Sequence, residues 1–448
     1  MNDLTKGSIT RHLLKFASFI ALTTLFQTLY FLVDLYFVGQ LGRESIAGVG
    51  LAGNVAIIVL ALTQTLGVGA TALVSHAMGA KDRDRADASF NQSFVLSSLA
   101  GMAFGIIAFT LRGTFAHALA ADDATAEQAI RYLNWFIPAM ALQFGLVALG
   151  SSLRGIGDMK MPTLMQVGTV MVNIVLAPIL TVGWLTGRPF GVAGAGAATL
   201  VAVIVGLVAF VLYFQRPSSP LRFRPSTWRP DLAVWRRMLG IGLPAGGEFA
   251  LMAVYIGFVY HVIQVFGSAA QAGFGIGARL MQSMFLPAVA IGFATAPVVG
   301  QNFGAREADR VRRTFATAAA LSAAVMGVVT LLCLFAPVAL IGVFSHDNAV
   351  VTFGADYLRI VSWNFVASGI IFVGSSTMQG LGNTRPALMA SLLRLILFVV
   401  PVYWLSHQSQ AGRASFEMRH VWYLSLGSVF VHMCVLVWLV RARLSRLE

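Results

Sequence analysis

The sequence predicts an all-α membrane protein of twelve transmembrane helices, set as two pseudo-symmetric six-helix lobes around a central cavity, and three observations carry that prediction. The composition is apolar: of 448 residues, 57% are hydrophobic and 11% charged, with a mean hydropathy of +0.78, far outside the range of a soluble globular domain. Apolar runs of about 20 residues or more, enough to cross a bilayer core of roughly 30 Å, recur along the whole length. The chain also repeats itself. Residues 42–85 and 267–310 match at a constant shift of 225, with Gly42, Gly48, Gly50, Gly67, Gly79, Ala80 and Arg85 falling on Gly267, Gly273, Gly275, Gly292, Gly304, Ala305 and Arg310. The same shift joins Tyr132-Leu133 to Tyr357-Leu358, and Gly155 and Gly157 to Gly380 and Gly382. A shift held over separate stretches means that one membrane unit was duplicated. Membrane proteins of two such halves are usually transporters, with the binding site between the halves.

The runs of the first half cover 14–38, 50–76, 92–117, 128–152, 162–184 and 190–214. Those of the second cover 237–262, 275–300, 312–341, 352–378, 386–406 and 418–440. They are expected to be helices, because barrel strands need only about 10 alternating residues. The first run is too long for a signal-peptide apolar region and no small-residue cleavage site follows it, so it is expected to stay in the mature protein. After the second and eighth runs, MGAKDRDRADASF and FGAREADRVRRTF follow a helix-ending glycine with a charged stretch. These read either as amphipathic turns along the membrane surface or as plain solvated loops. The longest polar break is 215–236, where Pro217, Pro220, Pro225 and Pro230 forbid a continuous helix. It is expected to be a cytoplasmic linker between an N-terminal lobe, 1–214, and a C-terminal lobe, 237–448.

The net charge of +13 raises nucleic acid as a partner, but the placement of the basic residues points to topology instead. With the N-terminus inside, 22 lysines and arginines fall on inside loops and tails, against seven outside: Arg43, Arg112, Arg131, Arg188, Arg359, Arg413 and Arg419. That split places both termini in the cytoplasm and suits attraction to anionic membrane lipid. The two cysteines, Cys333 and Cys434, both lie in predicted spans, which leaves neither a disulfide framework nor a thiolate metal site.

Chemistry is sought where a polar group sits deep in an apolar helix, since charge there costs at least about 2.5–3.5 kcal/mol and demands a partner or water. Asp34 stands out, inside LTTLFQTLYFLVDLYFVG. Gln27 and Tyr30 precede it by seven and four residues and project from the same helical stripe. No obligatory basic partner lies nearby in the same half, so the residue reads as a functional carboxylate that exchanges a proton or holds a cation; the alternative is a structural ion pair across the bundle. Glu248 follows Pro244 by one turn, and its repeat counterpart is Thr23, so it is either a second proton or substrate carboxylate or a hydrogen-bonded neighbour of the proline. Arg279 and Arg394 lie within spans and read as structural counter-charges or as substrate contacts.

At this point the residues carry a family resemblance. QTLYFLVDLYFVGQLG (27–42) resembles the first-helix signature of multidrug and toxic compound extrusion (MATE) transporters. NIVLAPIL with GVAGAGAAT (173–180 and 191–199) is similar to that family's fifth and sixth helices, and SSLRGIGDMKMP with SSTMQGLGNTRP to its two post-span loops. The resemblance spans essentially the full chain. It implies alternating-access export of organic, often cationic or amphipathic compounds, coupled to an incoming cation, from the bacterial inner membrane, with no cofactor, no nucleic acid and no enzymatic step, and with the protein acting as a monomer. It also implies that Asp34, Asn173 and Thr199 couple to the ion, with Gln27 and Tyr30 lining the same cavity; from the residues alone, Glu248, Arg279 and Arg394 are the second half's candidates for that cavity.

Two positions depart from the family pattern. Ala177 stands where relatives place a second aspartate one turn after the asparagine; sodium would lose an anionic ligand there, whereas a proton needs only Asp34. Coupling is therefore expected to use a proton, with sodium as the alternative. Phe19 replaces the proline that lets the first helix of many relatives bend, while its repeat counterpart Pro244 keeps a proline in the second half. The seventh helix is thus the expected moving element. A lipid-linked precursor flippase is the rival within the superfamily, although such a protein is expected to carry several basic residues in its cavity and this chain offers only Arg279 and Arg394. A receptor without transport sits poorly with the duplication. For an intramembrane enzyme, the spans hold no aspartate pair, His-Glu zinc motif or Ser-Lys dyad.

Overall fold

A computed structural model describes residues 3–345, 347–410 and 417–447, and no strand forms among them. Arg413, one of the seven arginines assigned outside, lies beyond the described residues. The helices of the first half are α1 (Ile9–Gly39), α2 (Arg43–Gly79), α3 (Arg83–Leu119), α4 (Asp123–Gly155), α5 (Lys160–Thr181) and α6 (Val192–Phe214). The second half carries α7 (Leu232–Ile263), α8 (Ser268–Met284), α9 (Leu286–Gly304), α10 (Ala308–Phe335), α11 (Pro337–Gly342), α12 (Asn348–Val361), α13 (Asn364–Gly380), α14 (Arg385–Gln410) and α15 (Met418–Leu444). Eleven helical stretches among the described residues are long and apolar enough to cross a membrane, and twelve when α12 and α13, bent by 54° at their junction, count as one span. This is a multi-pass membrane protein.

The second half is more broken than the first, for local reasons. Predicted span 275–300 is split at Phe285 into α8 and α9, whereas its counterpart α2 is continuous. Pro287, which has no N–H to return to the Ser283 carbonyl, stands where the first half has Leu62. The run 312–341 likewise ends its helix at Phe335, and Pro337 opens the short α11. The α12–α13 bend falls at Ser362-Trp363 without any proline; the Ser362 carbonyl accepts from the Phe365 N–H at 3.0 Å, and the Thr330 hydroxyl lies 3.1 Å from it and 2.9 Å from the Met326 carbonyl. Its first-half equivalent, Pro138, is carried inside an unbroken α4.

Several of the glycines that betrayed the duplication mark close backbone approaches or turns. A Cβ added at Gly155 would lie 3.0 Å from the Thr71 carbonyl and 3.0 Å from Val74 Cβ; at Gly380 it would lie 2.6 Å from the Ala296 carbonyl and 2.8 Å from Val299 Cβ, the same neighbours shifted by 225. Small residues at such crossings let membrane helices pack through their backbones. Gly157 and Gly382, at φ +82 and +73, end the two loops in the left-handed region that favours glycine.

The chain resolves into two units, one built on Phe19–Leu243 and the other on Leu4–Ser18 with Pro244–Glu448. The crossover points, Ser18/Phe19 and Leu243/Pro244, are repeat equivalents. Each unit therefore takes the opening helical segment of the other copy. In the first unit, buried Asn91 and Gln92 hold the incoming linker. Asn91 donates to the Arg222 carbonyl at 2.9 Å and accepts from the Arg224 N–H at 3.0 Å and Trp228 Nε1 at 2.8 Å. Gln92 donates to the Thr227 and Arg229 carbonyls at 2.6 and 2.7 Å and accepts from the Asp231 N–H and Trp235 Nε1 at 3.0 and 2.8 Å. The charged stretch after α2 adds Asp84 and Asp87, both paired with Arg224 at 2.8 and 2.9 Å, while Asp82 caps α3 through the Arg85 N–H at 3.0 Å. In the second unit the Leu4 N–H donates to Gln301 Oε1 at 3.2 Å, Asn302 donates to the Leu4 carbonyl at 3.2 Å, and Arg310 donates to the Gly7 carbonyl at 3.2 Å.

Candidate functional site

The polar group buried in the first unit is assembled by four helices. On α1, Tyr30 and Asp34 share a face one turn apart. Residues GVAGAGAAT open α6 with almost no side chains, so its backbone comes close to α4 and α5: a Cβ at Gly196 would lie 2.8 Å from the Tyr132 carbonyl, and one at Gly194 would run into the Leu180 carbonyl. That closeness carries Thr199 to Asn173 of α5 and Tyr132 of α4. Ala177, one turn beyond Asn173, packs with Phe37 and Ala198. Exposures of 8% for Asp34, 3% for Tyr132, 1% for Asn173 and 4% for Thr199 bury these four side chains, while Tyr30 is half-buried.

The Thr199 hydroxyl is the hub. It donates to the Ala195 carbonyl at 3.2 Å, accepts from Asn173 Nδ2 at 3.4 Å, and meets the Tyr30 hydroxyl at 3.0 Å. A hydroxyl has one proton and two lone pairs, so with its proton on Ala195 it accepts from Tyr30. Every capacity of Thr199 is then used. Tyr132 stands beside Thr199 and within Coulombic reach of Asp34 and Tyr30. What is left over is decisive: Asp34 Oδ1 and Asn173 Oδ1 are buried with no hydrogen-bond partner, and Asp34 joins no ion pair among the described residues. Two vacant acceptors, one of them on a carboxylate, suit a proton or a cation, since an unpaired acceptor at such a place costs several kcal/mol.

The other expected site residues have partners and surroundings of their own. Gln27 is exposed on α1 and makes none of these bonds. Glu248, Arg279 and Arg394 belong to the second unit. Glu248 accepts from the Ser375 hydroxyl, whose Oγ lies 2.9 and 2.8 Å from its two oxygens, and Gln379 donates to that same Oγ at 3.5 Å. Arg279 is exposed on α8, and the Arg394 guanidinium lies 4.8 Å from the centre of the Tyr255 ring. No ion pair joins Glu248 to either arginine among the described residues. Tyr132 is the member of the first group that sequence reasoning passed over.

The sequence pattern of the MatE family matches residues 20–179 and again 244–405, two matches that cover well over half the chain and start close to the 225-residue repeat. The chain belongs to the MatE family. Members of that family are transporters, not enzymes, so this MatE protein works by moving a solute. Among curated MatE relatives, it is 24% identical over 423 residues to the probable multidrug resistance protein YoeA of Bacillus subtilis, covering 93% of this chain and 90% of that one. It is 25% identical over 415 residues to the multidrug export protein MepA of Staphylococcus aureus, covering 89% and 88%. Its fold is that of a solved MATE transporter in an outward-facing conformation, with a TM-score of 0.89 at 24% identity over 100% of this chain and 98% of the other, and of a MATE crystal structure in the bent conformation, with a TM-score of 0.91 at 23% identity over 99% and 97%.

Proposed function

We propose that this protein exports organic, often cationic and lipophilic compounds by antiport against an incoming cation, with Asp34 as the coupling group. The observation that carries the reading is the buried Asp34 carboxylate, which has no ion-pair partner and sits beside Tyr30, Tyr132, Asn173 and Thr199 with vacant acceptors on Asp34 and Asn173. Relatives named for multidrug resistance and export support the cargo class. Ionised, Asp34 attracts a lipophilic cation; protonated, it loses that attraction, so cargo and proton favour opposite states and the flow of one drives the other. Ala177, packed against Phe37 and Ala198, supplies no second anionic oxygen, which favours a proton over sodium.

The basic-residue split supports a bacterial cytoplasmic membrane location with both termini inside, and we assign the working form as a monomer. The deciding experiment is dye efflux by the reconstituted protein under an imposed pH gradient and, separately, a sodium gradient. Efflux should follow the pH gradient. Efflux driven only by sodium would replace the proton in this scheme, and none under either gradient would end it. Asp34→Asn should abolish coupled efflux while the protein keeps its gel-filtration profile; wild-type efflux by that variant would remove Asp34 from the mechanism.

A further inference from the structure

The second unit keeps one member of the first unit's polar group and reverses the charge around it. At the repeat shift of 225, Tyr30 becomes Tyr255, but Asp34 becomes Val259, Asn173 becomes Phe398 and Thr199 becomes Leu424. Tyr255 still finds a hydroxyl on its own unit's last helix, Ser425 Oγ at 2.8 Å, and Asn364 Nδ2 reaches the same oxygen at 3.4 Å. The charged group beside this tyrosine is now Arg394, stacked on its ring at 4.8 Å with Nε buried and unpartnered. Two turns beyond Ser425 on α15, His432 is 3% exposed, and neither ring nitrogen has a partner. Its imidazole lies within Coulombic reach of the Arg394 guanidinium.

A guanidinium inside a membrane segment needs a counter-charge. None of the ion pairs among the described residues involves Arg394, and the face of a tyrosine is a weak substitute. Glu248, two turns before Tyr255 on α7, is engaged by Ser375 instead. An imidazole always carries at least one N–H, so Arg394 and His432 present two unused donors and a positive charge. The unpartnered Asn364 Oδ1 is an acceptor that an anion would avoid. We propose that Arg394, His432 and Tyr255 form a monovalent-anion site inside the second unit, filled by chloride or by the carboxylate of an amphipathic organic acid. The site stands on its own residues and does not depend on Asp34 as the coupling group.

Equilibrium dialysis of the purified full-length protein against radiolabelled chloride, and separately radiolabelled benzoate, tests this with methanesulfonate as the background salt. Wild type should bind one anion per chain. Loss of charge-assisted bonds in Arg394→Gln should weaken binding by about tenfold or more, Arg394→Lys should retain part of it, and Arg359→Gln, an exposed arginine of the same unit, should leave it unchanged. Saturable chloride binding that benzoate does not displace would assign the site to the inorganic ion; displacement one for one would assign it to organic carboxylates. Should Arg394→Gln fail to fold, the wild-type stoichiometry and the Glu248→Gln variant still decide. No binding by wild type would overturn the proposal, as would undiminished binding by folded Arg394→Gln; binding that appears only in Glu248→Gln would overturn it too, by showing that Glu248 neutralises Arg394.

Discussion

At the scale of single residues, Thr199 holds the first-unit group together because its one hydroxyl serves Ala195, Tyr30 and Asn173 at once. Tyr30→Phe removes one bond and should lower stability by about 0.5–1.5 kcal/mol. Adding Thr199→Val to it should cost less than the two single changes summed, because the variants share a partner; thermal unfolding in detergent of the two single variants and the double variant measures this. Asp34 was legible because a carboxylate in an apolar run is costly and therefore conspicuous, and Tyr30 followed from its spacing. Asn173 and Thr199 were legible only through resemblance, since an Asn or Thr within a span is cheap and common. Tyr132 was visible as a repeated Tyr-Leu pair, yet repetition speaks of ancestry and not of use: its counterpart Tyr357 packs instead against Phe274 and Trp422, at 5.3 and 4.8 Å between ring centres.

Among the elements, the helices themselves were readable because apolar length is what the bilayer demands. Their breaks were not, because each depends on one residue or one distant partner. Pro287 opens α9 just after the break from α8, and at the α12–α13 bend the Ser362 carbonyl is approached by a threonine 32 residues away in sequence. α7, where bending at Pro244 is expected, runs as one helix over Leu232–Ile263, and α1 passes Phe19 equally unbroken. Glycines of the repeat divide sharply by surroundings. A Cβ at Gly48 would come within 2.8 Å of the Ala129 backbone nitrogen, whereas one at Gly50 meets nothing within 4 Å. Gly48→Ala should therefore push α2 off α4 and cost about 1–3 kcal/mol by overpacking, while Gly50→Ala should be neutral or slightly stabilising through better helix propensity. Unfolding temperatures of the two variants in one detergent compare them directly.

For the whole molecule, duplication was the most legible fact, since a constant shift survives wherever glycine is needed for close approach. What the shift does not reveal is that each copy's opening segment is claimed by the other unit, because that depends on where the segment packs and not on what it resembles. The linker, expected only to join the two halves, is fastened by Asn91 and Gln92. If the chain is cut between Pro217 and Ser218, each fragment lacks a segment of the unit it mostly forms. Either fragment alone should give little folded protein in the membrane, and the two produced together should recover dye efflux; stable, monodisperse single fragments on gel filtration would contradict this. The exchange at Phe19 and Pro244 also reaches back in time. A primitive chain holding one copy would have had a leading arm with no berth in its own bundle, so it needed a sister molecule to accept it. Fusion of the two genes then tethered a partnership already obligatory, and left the sisters free to diverge, an acid at Asp34 in one and a base at Arg394, the counterpart of Thr169, in the other.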